Sequence, residues 1–568
     1  MPEKPSFTGI QYKEYLGEYK DEFTKVLSTL QLVNFPQRIL DKDYTLWSVT
    51  PNEIINRLGW LTLPESKYKE IDKFNEFSEQ IIKNGFKSVV LVGMGGSSLA
   101  PEMFADSFKG LNHLNIFVLD STDPEYILFV RSQLDLDSTL IIVSSKSGST
   151  VETASLMNYF LAEYNKVMDR NDIGNHFVSI TDPGSDLENI SRELDYREIF
   201  LNKPDIGGRF SALSYFGLVP ASLTGLDLGK FINNSKNAAL LCNKNDININ
   251  TGLRLGAFMG FLAEKMIDKL TIFTSKQISC LKFWIEQLVA ESTGKNGKGI
   301  LPIPAESFDI NLNYGKDHAF IYIKIKGDEN AENEISSIKN SGIPMVVMDL
   351  EDCYDLAGQI YLWEYATAVA GYFLKVNPFD QPDVESAKIF TRDFVQKYKE
   401  TGLLQKEKPK FNIENITFYS NSQISDFNAL RTWLKEKAVD GSYISIQAFL
   451  TPDINKKLLI SGLAEILASE FDLPVTSGFG PRYLHSTGQL HKGDAGMGIF
   501  IQLTSDIASD VRIPDKPFSE VSSLSFGILK NAQALGDYGA LKNKGRNIVS
   551  INLGHDTDSE LNKLIELF

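Results

Sequence analysis

The segment IIVSSKSGSTVETA sets five hydroxyls, Ser144, Ser145, Ser147, Ser149 and Thr150, between an apolar run and a helical stretch beginning near Thr150. Hydroxyls and unpaired backbone amides converge there on the amino end of a helix, so the chemistry that fits is capture of a phosphate monoester. Lys146 lacks the spacing of a nucleoside triphosphate loop. A polar loop whose Ser and Thr merely cap the helix is the competing reading, but so many hydroxyls at the end of a strand favour a phosphate site. A second turn, VVLVGMGGSSLAP, carries Gly93, Gly95 and Gly96, which let backbone approach a ligand. Ser98 stands where a dinucleotide fingerprint wants glycine or alanine, while Asp120 imitates its ribose-binding acid. A dehydrogenase and a plain tight turn therefore both stay open at this point.

Two further segments carry candidate oxyanion and acid–base groups. In PDIGGRFSALSYFGLVPA, Arg209 follows two glycines, so its guanidinium can be presented rigidly to an oxyanion. In FWIEQLVAESTGKNGKG, Gln287 and Glu291 are four residues apart and share one helix face. A carboxylate ending an apolar helix can act as a general base tuned by partial burial; a solvated acid is the alternative. LKVNPFDQPDVESAKIF joins an apolar run to a helix bearing Glu385 and Lys388, through a turn fixed by Pro378 and Pro382. A lone helical lysine is usually solvent-facing, so Lys388 says little by position alone.

These groups need a scaffold that presents strand ends and helix starts. From Phe86, the runs KSVVLVGMGG, NIFVLDSTDP, STLIIVSSKSGS and HFVSITDPGS each lead into a helical stretch, which predicts a parallel doubly wound sheet. A helical region over about 230–298, the strands HAFIYIKIKG and IPMVVMDL, and a long helix through IYLWEYATAVAGYFL predict a second unit. Beyond a polar stretch near Glu400, ITFYS, YISIQAFL, LPVTS, GIFIQL and NIVSINLG predict a third. The expected division is a helical region over 1–85, with a helix entered at Pro51, then α/β units over 86–230, 231–400 and 411–568. A chain of 568 residues has room for roughly three or four domains.

Composition narrows the partners. With 43% apolar and 23% charged residues the chain is an ordinary globular protein. A net charge of −16 argues against nucleic acid and anionic membranes, but leaves room for a small anion held by local donors. Cys242, Cys280 and Cys353 are spaced for neither a disulfide framework nor zinc, read best as small buried residues, and fit a reducing compartment. MPEKPSFTGIQYKEYLGEYKDEF is charged and holds no apolar run, so no secretory signal is expected, and LRLGAFMGFLAEKMI is too short and too charged to cross a bilayer. A cytoplasmic location is expected.

Taken in order, GMGGSSLAPE, SSKSGSTVETA, IGGRFSALSYFGL, EQLVAESTGKNGKG and NPFDQPDVESAK resemble the glucose-6-phosphate isomerase (phosphoglucose isomerase) family, built from paired sugar-isomerase (SIS) domains. NRLGWL, GPRYLHSTGQLHKG and FGILKNAQALGD extend the likeness to the isomerase half of proteins that fuse transaldolase to this enzyme. A transaldolase barrel needs roughly 250 further residues, so no transaldolase activity is expected. The resemblance implies an α/β fold: two doubly wound SIS domains with parallel sheets, plus a third C-terminal α/β domain. It implies reversible isomerisation of glucose 6-phosphate to fructose 6-phosphate, in glycolysis and gluconeogenesis, by a homodimer without metal or cofactor. It assigns Ser145, Ser147, Thr150 and the backbone of Lys146 to the phosphate, and Gly95 and Ser97 to a sugar-facing turn. Arg209 would stabilise the enediolate oxygen with Gln287 in support, Glu291 would carry the proton between C2 and C1, and Lys388 with a histidine would assist ring opening.

The histidine departs from the family pattern, in which it lies between the glutamate and the lysine. Here that interval holds only His318, in YGKDHAFIYI at the start of an expected strand. His485, in GPRYLHSTGQLHKG of the third unit, is expected to take the role, because a site depends on spatial convergence rather than chain order. An imidazole suits proton shuttling near neutral pH. The alternatives are that His485 is a structural hydrogen-bonding residue, that His491 takes the role, or that His318 does. Two other functional readings stay open: an isomerase that also accepts mannose 6-phosphate, and a non-catalytic sugar-phosphate-binding regulator.

Overall fold

The computed structural model of the chain describes residues 11–111, 114–306, 315–329, 331–404 and 407–568. Residues 1–10, part of the segment read for a leader, lie outside the described residues.

Ser88–Val92 and Thr139–Ser144 are buried along their whole length, which is why they read as unbroken apolar runs rather than alternating ones. They form the centre of a five-stranded parallel sheet in the order Asn115–Leu119, Ser88–Val92, Thr139–Ser144, Phe177–Thr181, Glu198–Leu201. The carboxyl edge of this sheet carries the glycine turn, Asp120 and the hydroxyl-rich loop side by side.

The second sheet has the order Gln11–Tyr15, Met345–Leu350, His318–Ile325, Lys269–Thr274, Leu301–Pro304. It corrects two expectations, and the turn at Pro51 corrects a third. KLTIFT, placed in a helical region, is a strand with five of its six residues buried, and so short an apolar run has no periodicity to distinguish it from a buried helix. QYKEY, within the region read as helical, is the edge strand, and it pairs antiparallel with Met345–Leu350, so this sheet is not wholly parallel. Its charged side chains suit an edge. Pro51 opens turns rather than a helix, because Glu53 sits at φ 56°, outside the right-handed helical region.

The third sheet has six strands in the order Phe411–Ile413, Ile416–Ser420, Asn547–Asn552, Gly498–Thr504, Tyr443–Phe449, Val475–Phe479. Its last four strands are parallel, and Ile416–Ser420 joins them antiparallel. The architecture is therefore α/β throughout: among the described residues there are three large sheets and a two-stranded ribbon, Arg512–Ile513 with Leu524–Ser525.

One apolar core spans the amino-terminal helices, one face of the first sheet and the second sheet. At its heart the buried helix Leu356–Leu374 crosses Thr251–Glu264 so closely that a Cβ on Gly256 would lie 2.4 Å from the Ala366 carbonyl oxygen. The opposite face of the first sheet is covered partly by its own helices and partly by Ile513, Phe526 and Leu529 of the third unit. The third unit thus closes over the first sheet. Among the described residues no helix is long and apolar enough to cross a membrane.

Candidate active site

Glu291 lies in the last turn of the helix Leu281–Thr293, one turn beyond Gln287 on the same face. Gln287 Nε2 donates to Glu291 Oε2 at 3.2 Å, and on the other side of the carboxylate Arg209 Nη1 stands 3.1 Å from Oε1. Arg209 comes from the short turn Gly208–Phe210 and is 2% exposed. Its remaining donors are aimed by Ser292 Oγ at 2.7 Å, Gln381 Oε1 at 2.7 Å and the carbonyls of Pro378 and Asp380 at 2.7 and 2.9 Å. Burial pulls the Arg209 guanidinium below its ordinary range, and the Glu291 carboxylate opposes that pull. The result is a carboxylate and a guanidinium locked side by side, with few rotamers left to either.

Lys295, which the sequence reading passed over, completes this wall. Its Nζ donates to the carbonyls of Asn377 and Asp380 and to Asp380 Oδ1 at 2.7, 2.6 and 2.8 Å. Burial, and then the charge of Arg209, push its ammonium down to about 8. Arg209 and Lys295 therefore both grip the NPFDQ turn, sharing the Asp380 carbonyl.

The glycine turn Gly95–Ser97 faces this cluster. Gly95 has φ 56°, and a Cβ there would come within 2.7 Å of the His485 carbonyl oxygen and 2.8 Å of Gln287 Nε2. A Cβ on Gly96 would lie 2.0 Å from the Gly208 carbonyl oxygen. The two glycines let three chain segments meet. Ser97 is half-buried on the same turn.

The hydroxyl loop follows the central strand of the first sheet. Ser145 Oγ donates to Thr150 Oγ1 at 3.3 Å and accepts the Gly148 amide at 3.2 Å, and Ser147 and Ser149 hydroxyls are 2.9 Å apart. Thr150 is the N-cap of the helix Val151–Tyr164 yet makes no side-chain cap bond, so its hydroxyl is not consumed by capping. Lys146 turns its side chain away, to Asp182 at 2.5 Å and the Pro204 carbonyl at 2.9 Å, leaving only its backbone toward the loop.

His485 is where the third unit enters. It ends the short turn Arg482–His485, its carbonyl accepts from Gln287 Nε2 at 2.7 Å, and its Nε2 lies 3.0 Å from Glu152 Oε1. Glu152 is a residue the sequence reading missed. An acid in the first turn of a helix looks like an ordinary complement to the helix dipole, and only the closed third unit reveals that it is 8% exposed, with Gln533 Nε2 also donating to it at 2.7 Å. Burial pushes the Glu152 carboxyl up, but His485, and more weakly Lys388, overcome this and hold it below the usual range. Lys388 itself, on the helix Glu385–Thr401, is 53% exposed and 3.9 Å from Glu385. The two alternative histidines are engaged elsewhere. His318 is buried beside Asp317 at 3.1 Å in the second sheet, and His491 is buried against Gln447 and Ser445 of the third.

From Glu152, in the first turn of the helix that follows the hydroxyl loop, contacts thus run through His485 and Gln287 to Glu291 and Arg209. They join an imidazole–carboxylate pair to a carboxylate–guanidinium pair. Among the described residues no group of three or more His, Cys, Asp or Glu side chains could hold a metal ion.

Comparison with known proteins points the same way. The phosphoglucose isomerase family model matches residues 59–300. A protein of Methanococcus maripaludis named probable glucose-6-phosphate isomerase is 30% identical over 392 residues, covering 59% of this chain and 84% of that one. The glucose-6-phosphate isomerase of Methanocaldococcus jannaschii is 28% identical over 342 residues, covering 54% and 83%. In fold, the chain is similar to the crystal structure of a glucose-6-phosphate isomerase from Chlamydia trachomatis, with TM-score 0.59 and 20% identity over 69% of this chain and 89% of that one. The order of the motifs, their meeting around Glu291 and the breadth of the match to the Methanococcus protein agree, and the chain belongs to the phosphoglucose isomerase family.

Proposed function

We propose that this chain interconverts glucose 6-phosphate and fructose 6-phosphate, moving one proton between C2 and C1 through an enediolate. The observation that carries the reading is the Glu291 carboxylate fixed between Arg209 at 3.1 Å and Gln287 at 3.2 Å. A proton α to a carbonyl leaves only if a base takes it while a fixed cation neutralises the developing oxyanion. Glu291 takes the C2 proton and returns it to C1, and Arg209 holds the enediolate oxygen. Ser145, Ser147, Thr150 and the Lys146 backbone hold the phosphate at the helix start, with Gly95 and Ser97 against the sugar. His485 moves the ring proton during opening, with Glu152 stabilising the imidazolium and Lys388 assisting from the cleft mouth. The exchange is redox-neutral, so the glycine turn has no nicotinamide to serve.

The names of the relatives support the substrate. The motifs NRLGWL, GPRYLHSTGQLHKG and FGILKNAQALGD support a position near the isomerase half of the transaldolase fusion proteins. We take the enzyme to act as a homodimer in the cytoplasm, in glycolysis and gluconeogenesis, with functional units over 86–230, 231–400 and 411–568 behind the region 1–85. A coupled assay of purified, chelator-treated protein with glucose, fructose and mannose 6-phosphates tests the reading. Turnover of the first two is expected. Binding without turnover would make the protein a regulator, and equal turnover of mannose 6-phosphate would widen the substrate class.

A further inference from the structure

Arg482 belongs to the third unit, yet its guanidinium is anchored in the first. Nη2 pairs with Glu102, and Nη1 lies 3.2 Å from Asp120 Oδ2. Glu102 sits in the helix Leu99–Ser107, directly after the glycine turn, and Asp120 follows the strand Asn115–Leu119. Asp120 is the acid that imitates a ribose ligand in the sequence, and here it faces an arginine instead. At the other end of the same short turn, the His485 carbonyl is held by Gln287 Nε2 at 2.7 Å and pressed against Gly95. The turn that bears the imidazole is therefore clamped at both ends, by residues of the first unit and of the helix Leu281–Thr293.

We propose that Arg482 is a positioning residue for ring opening: its ion pairs with Glu102 and Asp120 fix the Arg482–His485 turn over the first sheet and so place the imidazole between Glu152 and the sugar ring. The inference rests on His485 as the ring-opening group. Two features favour positioning over a general contribution to stability. Glu102 and Asp120 both pair with a single guanidinium, and a part-buried cluster of charges is a poor way to gain folding energy. The anchor also lies only three residues from the imidazole, so slack in it passes directly to His485.

The test is the shape-conserving pair Glu102→Gln with Asp120→Asn, made in the wild-type and in the His485→Ala background. A misplacement of the imidazole by about 1 Å should lower kcat on glucose 6-phosphate about 10- to 100-fold, leaving KM within about threefold. In the His485→Ala background the pair should add no further loss, because the group it positions is gone. Wild-type kcat in the pair, an equal further loss in the His485→Ala background, or loss of the folded state by circular dichroism would each overturn the positioning role. If His485→Ala alone leaves kcat unchanged, the ring-opening reading itself has failed. If His485→Ala lowers kcat and the pair does not, only the role of Arg482 has failed.

Discussion

Replacing Glu152 by Gln separates an imidazole partner from a mere packing residue. In the native protein Glu152 Oε1 receives His485 Nε2 at 3.0 Å and Gln533 Nε2 at 2.7 Å, and Gln533 is itself oriented by the Thr122 hydroxyl at 2.8 Å. An amide oxygen in the same place can still accept both donors, so the shape of the site survives. What is lost is charge: a hydrogen bond to a carboxylate contributes about 1.5–3 kcal/mol and a neutral one about 0.5–1.5 kcal/mol. Two such bonds set the loss at about 2–3 kcal/mol, and the half that belongs to the imidazolium formed during ring opening is about 1–1.5 kcal/mol, or about 5- to 13-fold in kcat on cyclic glucose 6-phosphate. The pH dependence has a definite sign. The folded carboxyl lies below its ordinary value, so its ionisation contributes stability above the unfolded pKa of about 4.3 and loses it as pH falls through the folded value. The stability gap between wild type and Glu152→Gln should therefore narrow in acid. Steady-state kinetics with a coupled assay, alongside urea unfolding at neutral and acid pH, reads both effects. A variant that loses stability but keeps kcat within about twofold of wild type would refute the catalytic half of the argument.

Ser147→Ala combined with Thr150→Ala should raise KM for the phosphorylated sugar about 10-fold or more while kcat changes little, since phosphate contacts are shared by ground and transition states; an unchanged KM would reduce the loop to a turn. Gly95→Ala, at φ 56° with its Cβ 2.7 Å from the His485 carbonyl, should cost about 1–2 kcal/mol in backbone strain alone and displace His485 or Gln287. An alanine variant with native melting temperature and turnover would contradict the close approach. His318→Ala and His491→Ala should each destabilise the fold by about 1–3 kcal/mol yet leave kcat per folded molecule within about threefold. A large loss of kcat confined to His318→Ala would transfer the ring-opening role to that residue.

What could be read from the chain follows from which contacts are local. Strands buried on both faces announce themselves as apolar runs, so the first and third sheets were legible apart from the edge strands Glu198–Leu201 and Phe411–Ile413. Lys269–Thr274 was misassigned because six residues hold too little periodicity, and Gln11–Tyr15 because its pairing partner lies at Met345–Leu350. In the site, Gln287 and Glu291 were legible because one helix turn brings them together. Glu152 was not, since its hydrogen-bonding partners lie 333 and 381 residues further along the chain. Lys295 sat inside a quoted motif, but its acceptors belong to the NPFDQ turn, and nothing in its spacing from Glu291 indicates that they meet. The third unit shows the limit most clearly: its strands were evident, while its closure over the first sheet, which brings His485 beside Glu152 and Gln287, depends on the Arg482, Lys530 and Gln533 contacts.

The central claim is that Glu291 carries the proton between C2 and C1. Its most direct test is deuterium incorporation at C2 of glucose 6-phosphate in heavy water, followed by nuclear magnetic resonance, for the native enzyme and for Glu291→Gln. The variant should stay folded, because Arg209 keeps Ser292 Oγ, Gln381 Oε1 and the Pro378 and Asp380 carbonyls as acceptors. Native enzyme should exchange the C2 proton during turnover, and Glu291→Gln should slow that exchange about 10²- to 10⁴-fold. Exchange by the folded Gln variant at the native rate would contradict the assignment of the base and, with it, the mechanism built on this cleft.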